Sequence, residues 1–417
     1  MKVLIIAQYF PPDMGGGATR AYNVAKGLML NDCKVTVVTA FQHYPSGNIP
    51  QQYRWKPFKC ESFDGLRVIR TLVPPIASRG IIKRLVLFLS FMLSSLFAMP
   101  LVGRIDVIWA ANPNIISTFP AVFYGVLKRT PVALNVDDLW PEVLYDLDMI
   151  SEDSLTSKLM RFIAKLAYLK AKLITPISPG YVKIICETYG VNNKKVHVIR
   201  AGVDLGTFVY SSPASNCNEN KFIVHYSGAF STAYDFDQVL LAAKCLENVD
   251  GIEFVLQGGG ELAGYVTSTT KKLKLKNVKI INKIVSREKV AKLLSEASSL
   301  ILPLRDFGRP YLGISSKLYE YQAAGKPIIC CAEGQPAEYV KETNSGIVLK
   351  PGDYQAIAKS VVHLKTHPLI ADKLGSSGLQ YVKNSLSIEE IGLRTKTFLQ
   401  ALNYRFKVEN SCLQRAS

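Results

Sequence analysis

Several absences narrow the reading before any motif is weighed. Acidic residues are scarce, with 33 against 50 basic ones and a formal net charge of +17. That balance suits phosphates, an anionic membrane surface or nucleic acid, with plain solubility as the bland alternative. No nucleic-acid recognition module accompanies the charge, so no nucleic-acid partner is expected. The 8 cysteines are scattered, with one adjacent pair at Cys330 and Cys331, and no CxxC or Cys/His spacing suggests a metal site. Reduced thiols in a cytosolic protein fit better than a disulfide framework. No signal peptide is expected at the start of this sequence either. The run Val3 to Ala7 is too short and is broken by Gln8 and a Pro-Pro turn. It reads as a buried parallel strand.

What is present is an ordinary globular composition, 48% hydrophobic and 20% charged, over 417 residues. That length exceeds one core and fits two domains. Strand-like runs at 3–7, 34–39, 106–110, 131–136, 172–178 and 196–200 alternate with helical stretches such as 18–30, 114–128 and 155–170. The alternation restarts with strands at 221–228, 252–258, 278–282, 299–304, 326–331 and 346–349, separated by helices at 235–247, 286–298 and 316–324. Each half reads as an α/β unit, an open parallel sheet covered on both faces. Residues 209–220, rich in Ser and Asn, mark the linker. A last helix is expected over 383–404, followed by a frayed polar tail.

One stretch departs from this pattern. Residues 85–102 carry no charge, and six basic residues but no acidic one lie between Gly65 and Ile105. Eighteen residues is at the lower edge of a membrane span. A span would put strands of one sheet on opposite sides of the bilayer. The preferred reading of 81–104 is a helix or hairpin resting in the membrane surface, its basic flanks (Arg79, Lys83, Arg84 and Arg104) against anionic headgroups. A buried core helix is the alternative.

Three stretches carry chemistry. PPDMGGGATR (11–20) follows the first strand, and Gly16 and Gly17 open a helix whose free amides suit a phosphate or sugar hydroxyl. It is neither a GxGxxG fingerprint nor a P-loop. NVDDLWPE (135–142) places Asp137 and Asp138 just after a strand, where a carboxylate orients a hydroxyl or acts as base. Helix capping is the competing role for Asp138. In LPLRDFGRPYLGISSKLYEYQAAGKPIIC (302–330), Ser315 and Ser316 cap a helix bearing Lys317 and Glu320, with Arg305 and Arg309 in the preceding loop. That helix start is a diphosphate cradle, and Glu320 is placed to hold ribose hydroxyls. A surface pair between Glu320 and Lys317 is the alternative.

These motifs, with HYP at 43–45, RAGVD at 200–204 and YSGAF at 226–230, resemble the GT4 family of GT-B glycosyltransferases over roughly residues 1–380. The likeness is to the branch that builds bacterial O-antigen, capsule and exopolysaccharide units. SSKLYEYQAAGKPII is its most specific marker. The resemblance implies two Rossmann-like domains facing each other across a cleft. Residues 1–205 would form the acceptor domain and 221–382 the donor domain, with the 383–404 helix packing back on the first. It implies a retaining transfer from a nucleoside diphosphate sugar to a lipid-linked saccharide, without metal or other cofactor, at the cytoplasmic face of the membrane. By position, Glu320 matches the ribose-binding glutamate. Gly228 and Gly259 lie at the nucleotide crevice, and the backbone around Lys283 and Ile284 resembles the base-binding segment.

Two departures stand out. The family's first donor-site glutamate is Leu312 here, and GAFSTAYD (228–235) lacks the usual diphosphate-binding Arg and Lys. Arg305, Arg309 or Lys317 must then supply the positive charge. The assigned roles are therefore catalysis for Asp138, Glu320 and Lys317. Donor binding falls to Gly16, Gly17, Gly228, Gly259, Ile284, Arg305, Ser315, Ser316 and Glu320. A GT-B epimerase and a donor-site-impaired scaffold subunit of a polysaccharide assembly complex stay open as alternatives.

Overall fold

The structure is a computed structural model and describes residues 1–44, 46–77, 80–112, 115–146, 149–208 and 221–416. Expectations that fall on Pro45, Arg79 and the 209–220 linker lie outside the described residues. The chain divides into two compact units, Met1–Gly202 with Ile388–Ser417, and Val203–Ser387.

The first unit runs β1 (Lys2–Ile6), α1 (Gly16–Leu30), β2 (Lys34–Ala40), β3 (Phe58–Phe63), β4 (Leu66–Thr71), α2 (Ile81–Phe97), α3 (Met99–Val102), β5 (Val107–Asn112), α4 (Phe119–Leu127), β6 (Val132–Val136), α5 (Glu142–Asp146), α6 (Leu155–Lys170), β7 (Leu173–Pro176) and α7 (Gly180–Glu187). Its seven strands stand in the order β3-β4-β2-β1-β5-β6-β7. All pairs are parallel except β3 with β4. The continuous apolar runs of β1 and β6 are buried because helices cover both faces of a parallel sheet.

The second unit runs β8 (Phe222–Ala229), α8 (Asp237–Cys245), β9 (Ile252–Gly259), α9 (Ala263–Lys272), β10 (Val278–Asn282), α10 (Arg287–Ser295), β11 (Ser299–Pro303), α11 (Lys317–Ala323), β12 (Ile328–Cys331), α12 (Gln335–Glu342), β13 (Gly346–Leu349), α13 (Tyr354–Thr366) and α14 (Pro368–Ser385). Its six parallel strands follow the order β10-β9-β8-β11-β12-β13. The winding reverses between β8 and β11, so a crevice opens beyond their carboxyl ends. Cys330 and Cys331 are core residues of β12.

The structure corrects three expectations. Residues 58–71, assigned no element, form an antiparallel hairpin turned by Asp64-Gly65, both at positive φ. An Asp-Gly pair between apolar-patterned runs is a hairpin signal. Residues 196–200 make one bridge, Val196 to Ile174, and no strand. Pro176 of β7 has no N–H to give the His197 carbonyl, so the ladder stops, and Arg20 takes the carbonyls of Ile199 and Arg200. The last helix, α15 (Ile388–Ala416), starts beyond a break at Leu386–Ser387 and persists through the tail expected to fray. Its register is held where Gly27 of α1 meets Gly392 of α15: a Cβ on Gly27 would lie 2.8 Å from Gly392 Cα.

Segment 81–104 forms α2 and α3, with features of both readings given for it. No described helix is long and apolar enough to cross a membrane. Leu87, Phe88 and Phe91 of α2 are buried in the first unit, while Ile82, Leu93 and Phe97 are exposed. The segment is thus a core-packed helix on one side and an apolar surface on the other.

Backbone contact leaves no room for a side chain at Gly27. Gly27→Val is expected to lower stability by about 1–3 kcal/mol in thermal or urea unfolding. Gly264→Ala in α9, where nothing lies within 4 Å, is expected to leave stability unchanged or slightly raised.

Candidate functional site

In the second unit the chemistry-bearing groups gather at the switch between β8 and β11. Strands β8 and β9 end in glycines because their backbones nearly touch. A Cβ on Gly258, at φ 157°, would overlap the Gly228 carbonyl oxygen. One on Gly228, at φ 149°, would overlap the Lys317 side chain, whose Nζ would be 2.7 Å away. Gly259 packs against Ile284, itself 52% exposed, so an apolar ledge stands beside the glycine turn. Ser227 Oγ donates to Gln257 Oε1 at 2.5 Å, and Gln257 Nε2 donates to the Lys283 carbonyl at 2.6 Å. This chain fixes the Lys283–Ile284 backbone relative to β8.

Lys317 begins α11 yet turns inward. Its Nζ donates to Tyr234 Oη at 2.9 Å and lies 4.8 Å from the Tyr234 ring centroid and 5.9 Å from that of Tyr226. Cation–π attraction of about 0.5–2 kcal/mol helps hold a half-buried ammonium in this position. Burial acts to raise the Tyr234 hydroxyl, but the Lys317 charge and hydrogen bonds from Lys317 and Ser315 outweigh it and bring the hydroxyl below the usual phenol range. Tyr234 is itself pinned by a bridge to Leu304, with Arg305 N donating to the Ala233 carbonyl at 3.1 Å and Asp235 N to Pro303 at 2.9 Å. So the loop without cations, 228–235, is clasped onto β11 and receives one from α11.

From behind, α11 is held by a buried polar network. Gln322 Nε2 donates to Thr343 Oγ1 and Ser345 Oγ, each at 2.9 Å, and Tyr339 Oη donates to Gln322 Oε1 at 2.5 Å. Satisfied networks of this kind fix orientation. The tyrosines and Gln322 of KLYEYQA therefore belong to the interior, while Lys317 and Glu320 are only half-buried.

Two expected arrangements differ. Ser316 stands at the N-cap of α11 but makes no side-chain cap, and Ser315 bonds Tyr234 instead. Glu320 does not pair with Lys317. It pairs with Arg287 of α10, Nη2 to Oε1 at 3.1 Å, and Arg287 stacks over Phe208 at 5.3 Å. Arg287 had no sequence signal, since it simply follows the Ser286 cap of α10. The Arg305 guanidinium stacks on Phe307 at 5.0 Å.

In the first unit the corresponding strand ends are tied together by buried polar groups. Gly16 and Gly17 open α1 with no side-chain cap at Gly15, leaving its first amides available. Asp13 Oδ1 accepts the backbone N–H groups of His43 and Tyr44, each at 2.9 Å, joining the loops after β1 and β2. Burial raises the Asp13 carboxyl, with His43 as the main opposing influence. His43 Nδ1 lies 2.7 Å from the Phe41 carbonyl, and its ring stacks on Tyr9 at 5.5 Å.

Arg20 of α1 reaches Asn135 Oδ1 at 2.8 Å, and its Nε is 3.6 Å from Asp137 Oδ1, which also accepts from Asn135 Nδ2 at 2.7 Å. Asp137 is thus a structural acid: burial pushes it up to about 6, against the pull of Arg20 and Asn135. Asp138 has no such partner among the described residues. Burial, then the Asp137 charge, pushes it up to about 7. Helix α5 begins only at Glu142, so Asp138 is not its cap. A carboxyl titrating near neutrality is suited to proton transfer. Among the described residues no three His, Cys, Asp or Glu side chains stand together as a metal ligand set.

Two doubly wound sheets, each with its reactive groups at the carboxyl ends of its strands, define the GT-B class. Sucrose-phosphate synthase from Thermosynechococcus elongatus has the same fold at a TM-score of 0.75 and 17% identity, over 96% of this chain and 99% of that one. HepE of Anabaena, solved in complex with UDP, matches at 0.69 and 15% identity over 96% of this chain and 100% of that one. An uncharacterized glycosyltransferase of Methanocaldococcus jannaschii is 20% identical over 375 residues, 87% of this chain and 88% of that protein. Residues 15–202 match the family described as Glycosyl transferase 4-like domain, and residues 211–380 match Glycosyl transferases group 1. The chain belongs to these GT4-type glycosyltransferases.

The raised Asp138 carboxyl has a stability consequence. The folded state holds its proton up to about pH 7, while the unfolded chain releases it near 3.8. Ionisation therefore opposes folding, and stability is lost as pH rises through that window. Asp138→Asn should gain on the wild type as pH increases from about 4 to about 7, then hold a constant lead. Urea unfolding at a series of pH values measures this, and a lead that shrinks with pH refutes the assignment.

Proposed function

We propose that this glycosyltransferase moves a hexose-type sugar, with retention of anomeric configuration, from a nucleoside diphosphate sugar to a lipid-linked saccharide in bacterial surface polysaccharide assembly. It does so at the anionic inner face of the cell membrane. The observation that carries the donor half is the Lys317 ammonium lying over Gly228 at the switch between β8 and β11. The loop after β8 lacks cations, and α11 supplies one to the same spot. A diphosphate entering beside the Gly228 backbone meets Lys317 Nζ, with Tyr234 Oη as a second donor. Stabilising the leaving diphosphate in a water-poor crevice is the largest single contribution such a site offers. Glu320 holds the ribose hydroxyls, in exchange for or beside its pair with Arg287. The Lys283–Ile284 segment receives the base.

Asp138 in the first unit orients the acceptor hydroxyl. Among the described residues no carboxylate of the second-unit crevice is assigned as a covalent nucleophile, and the reading is same-face attack assisted by the departing diphosphate. Positive charge from Lys317 and backbone amides makes a metal ion unnecessary in this reading. HepE, which shares the fold, was solved with UDP, so uridine diphosphate sugars are the first donors to try.

The test pairs purified full-length protein and a membrane extract with a panel of nucleoside diphosphate sugars, reading nucleoside diphosphate release and the mass of the lipid-linked product. Lys317→Met should lower kcat/KM about 10²–10³-fold, as for loss of one preorganised charge donor. Glu320→Ala should chiefly raise KM for the donor, and EDTA should change nothing. Release that never exceeds a protein-free blank for any donor would instead favour the scaffold alternative. Release without a glycosylated lipid, alongside an altered nucleotide sugar, would establish the epimerase.

A further inference from the structure

Helix α6 is inverted in its amphipathic pattern. It buries Ser157, Ala164, Ala167 and Tyr168 against the first unit and turns its large apolar residues outward. Leu155, Leu159, Phe162, Leu166 and Leu169 recur at alternating steps of four and three and are 38–83% exposed. At 3.6 residues per turn this is one continuous stripe along the helix. It is also bordered: Lys158 and Lys165 lie along one side of the stripe and Lys170 along the other.

The stripe is not isolated. Helix α4 packs against α6 and presents Phe123, Val126 and Leu127 to solvent. On its other side α4 packs against α2, where Tyr124 Oη donates to the Ser95 carbonyl at 2.8 Å. Helix α2 adds Ile82, Leu85, Val86, Leu89, Leu93 and Phe97, all exposed. An exposed apolar surface of this extent on one face is far beyond what scattered surface residues produce.

Charge identifies the occupant. Over 81–104, 119–129 and 155–170 there are nine basic residues, from Lys83 to Lys170, and no acidic one. Arg161 is paired with Glu152 just outside these spans, and the sum over the three spans is positive. A second copy docked about a two-fold axis would set this face against itself, positive against positive. An anionic lipid surface takes both features at once: the stripes enter the acyl boundary and the lysines meet the headgroups.

We propose that α2, α4 and α6 form one three-helix platform on which the first unit lies flat on an anionic membrane. This deepens the membrane reading given under Proposed function and rests on it. It assigns the anchoring to α6 and α4 as well as to the apolar segment visible in the sequence.

The experiment floats the full-length protein with vesicles of phosphatidylcholine, with and without phosphatidylglycerol. Wild type should associate with the anionic vesicles and be released by salt. Leu159→Ser with Phe162→Ser, and separately Lys158→Glu with Lys165→Glu, should each weaken association about tenfold or more. Both pairs are exposed, so melting temperature and donor hydrolysis in solution should stay at wild-type values. If the α6 pairs float like wild type while Leu93→Ser with Phe97→Ser does not, the platform is overturned and the membrane reading stands. Wild type that ignores both vesicle types refutes the two together. Equal flotation on neutral vesicles refutes the charge argument. Self-association relieved by the α6 changes, or recovery of binding only with a helical protein partner, assigns the stripe to that occupant instead.

Discussion

A lysine ammonium lodged against a glycine backbone organises the second unit. Lys317 fits there because Gly228 carries no side chain, and Gly258 has none because the two strand ends nearly touch. Tyr234 and Tyr226 surround the charge with aromatic faces and one hydroxyl. The Tyr234 loop is clasped to β11, and the Gln322 network holds α11 from the opposite side. Each of these features constrains where the ammonium can be. Together they place a positive charge at the topological switch, where parallel α/β sheets collect ligands.

The first unit solves a different problem with the same kind of sheet. Its strand ends are tied by buried acids: Asp13 joins two loops through backbone amides, and Asp137 is held by Arg20 and Asn135. Those ties leave Asp138 as the acid without an assigned structural partner among the described residues, and its neighbour's charge shifts it towards neutrality. Two adjacent carboxylates thus take separate roles because their surroundings differ. Helices α2, α4 and α6 of this unit carry an apolar and basic outer surface, while the strand ends carry the buried acids.

Much of this was legible along the chain. Alternating apolar runs and helical periodicity located most strands and helices of both units, because buried parallel strands tolerate little but aliphatic residues. The glycine runs and the SSKLYEYQAAGKP stretch marked the crevice, since close backbone approach and helix starts restrict residue choice. The Asp64-Gly65 hairpin is legible too, since an Asp-Gly pair favours the positive φ values the turn requires. The 196–200 segment reads as a strand because its apolar pattern is that of one. Only the reach of Arg20, 179 residues away in sequence, shows where its carbonyls go.

By itself the amino-acid order determined the two α/β units, the family, and the residue types available for a phosphate and a sugar. It did so because periodicity and backbone sterics act over a few residues and leave local signatures. Tertiary structure alone decided that Lys317 turns inward to Tyr234 while Glu320 turns to Arg287. The two are one helical turn apart, and nothing local distinguishes a surface pair from two separate partners. It also decided which face of α6 is buried. A leucine stripe reads as core in any sequence, and only packing shows that here the small residues face the protein and the leucines do not.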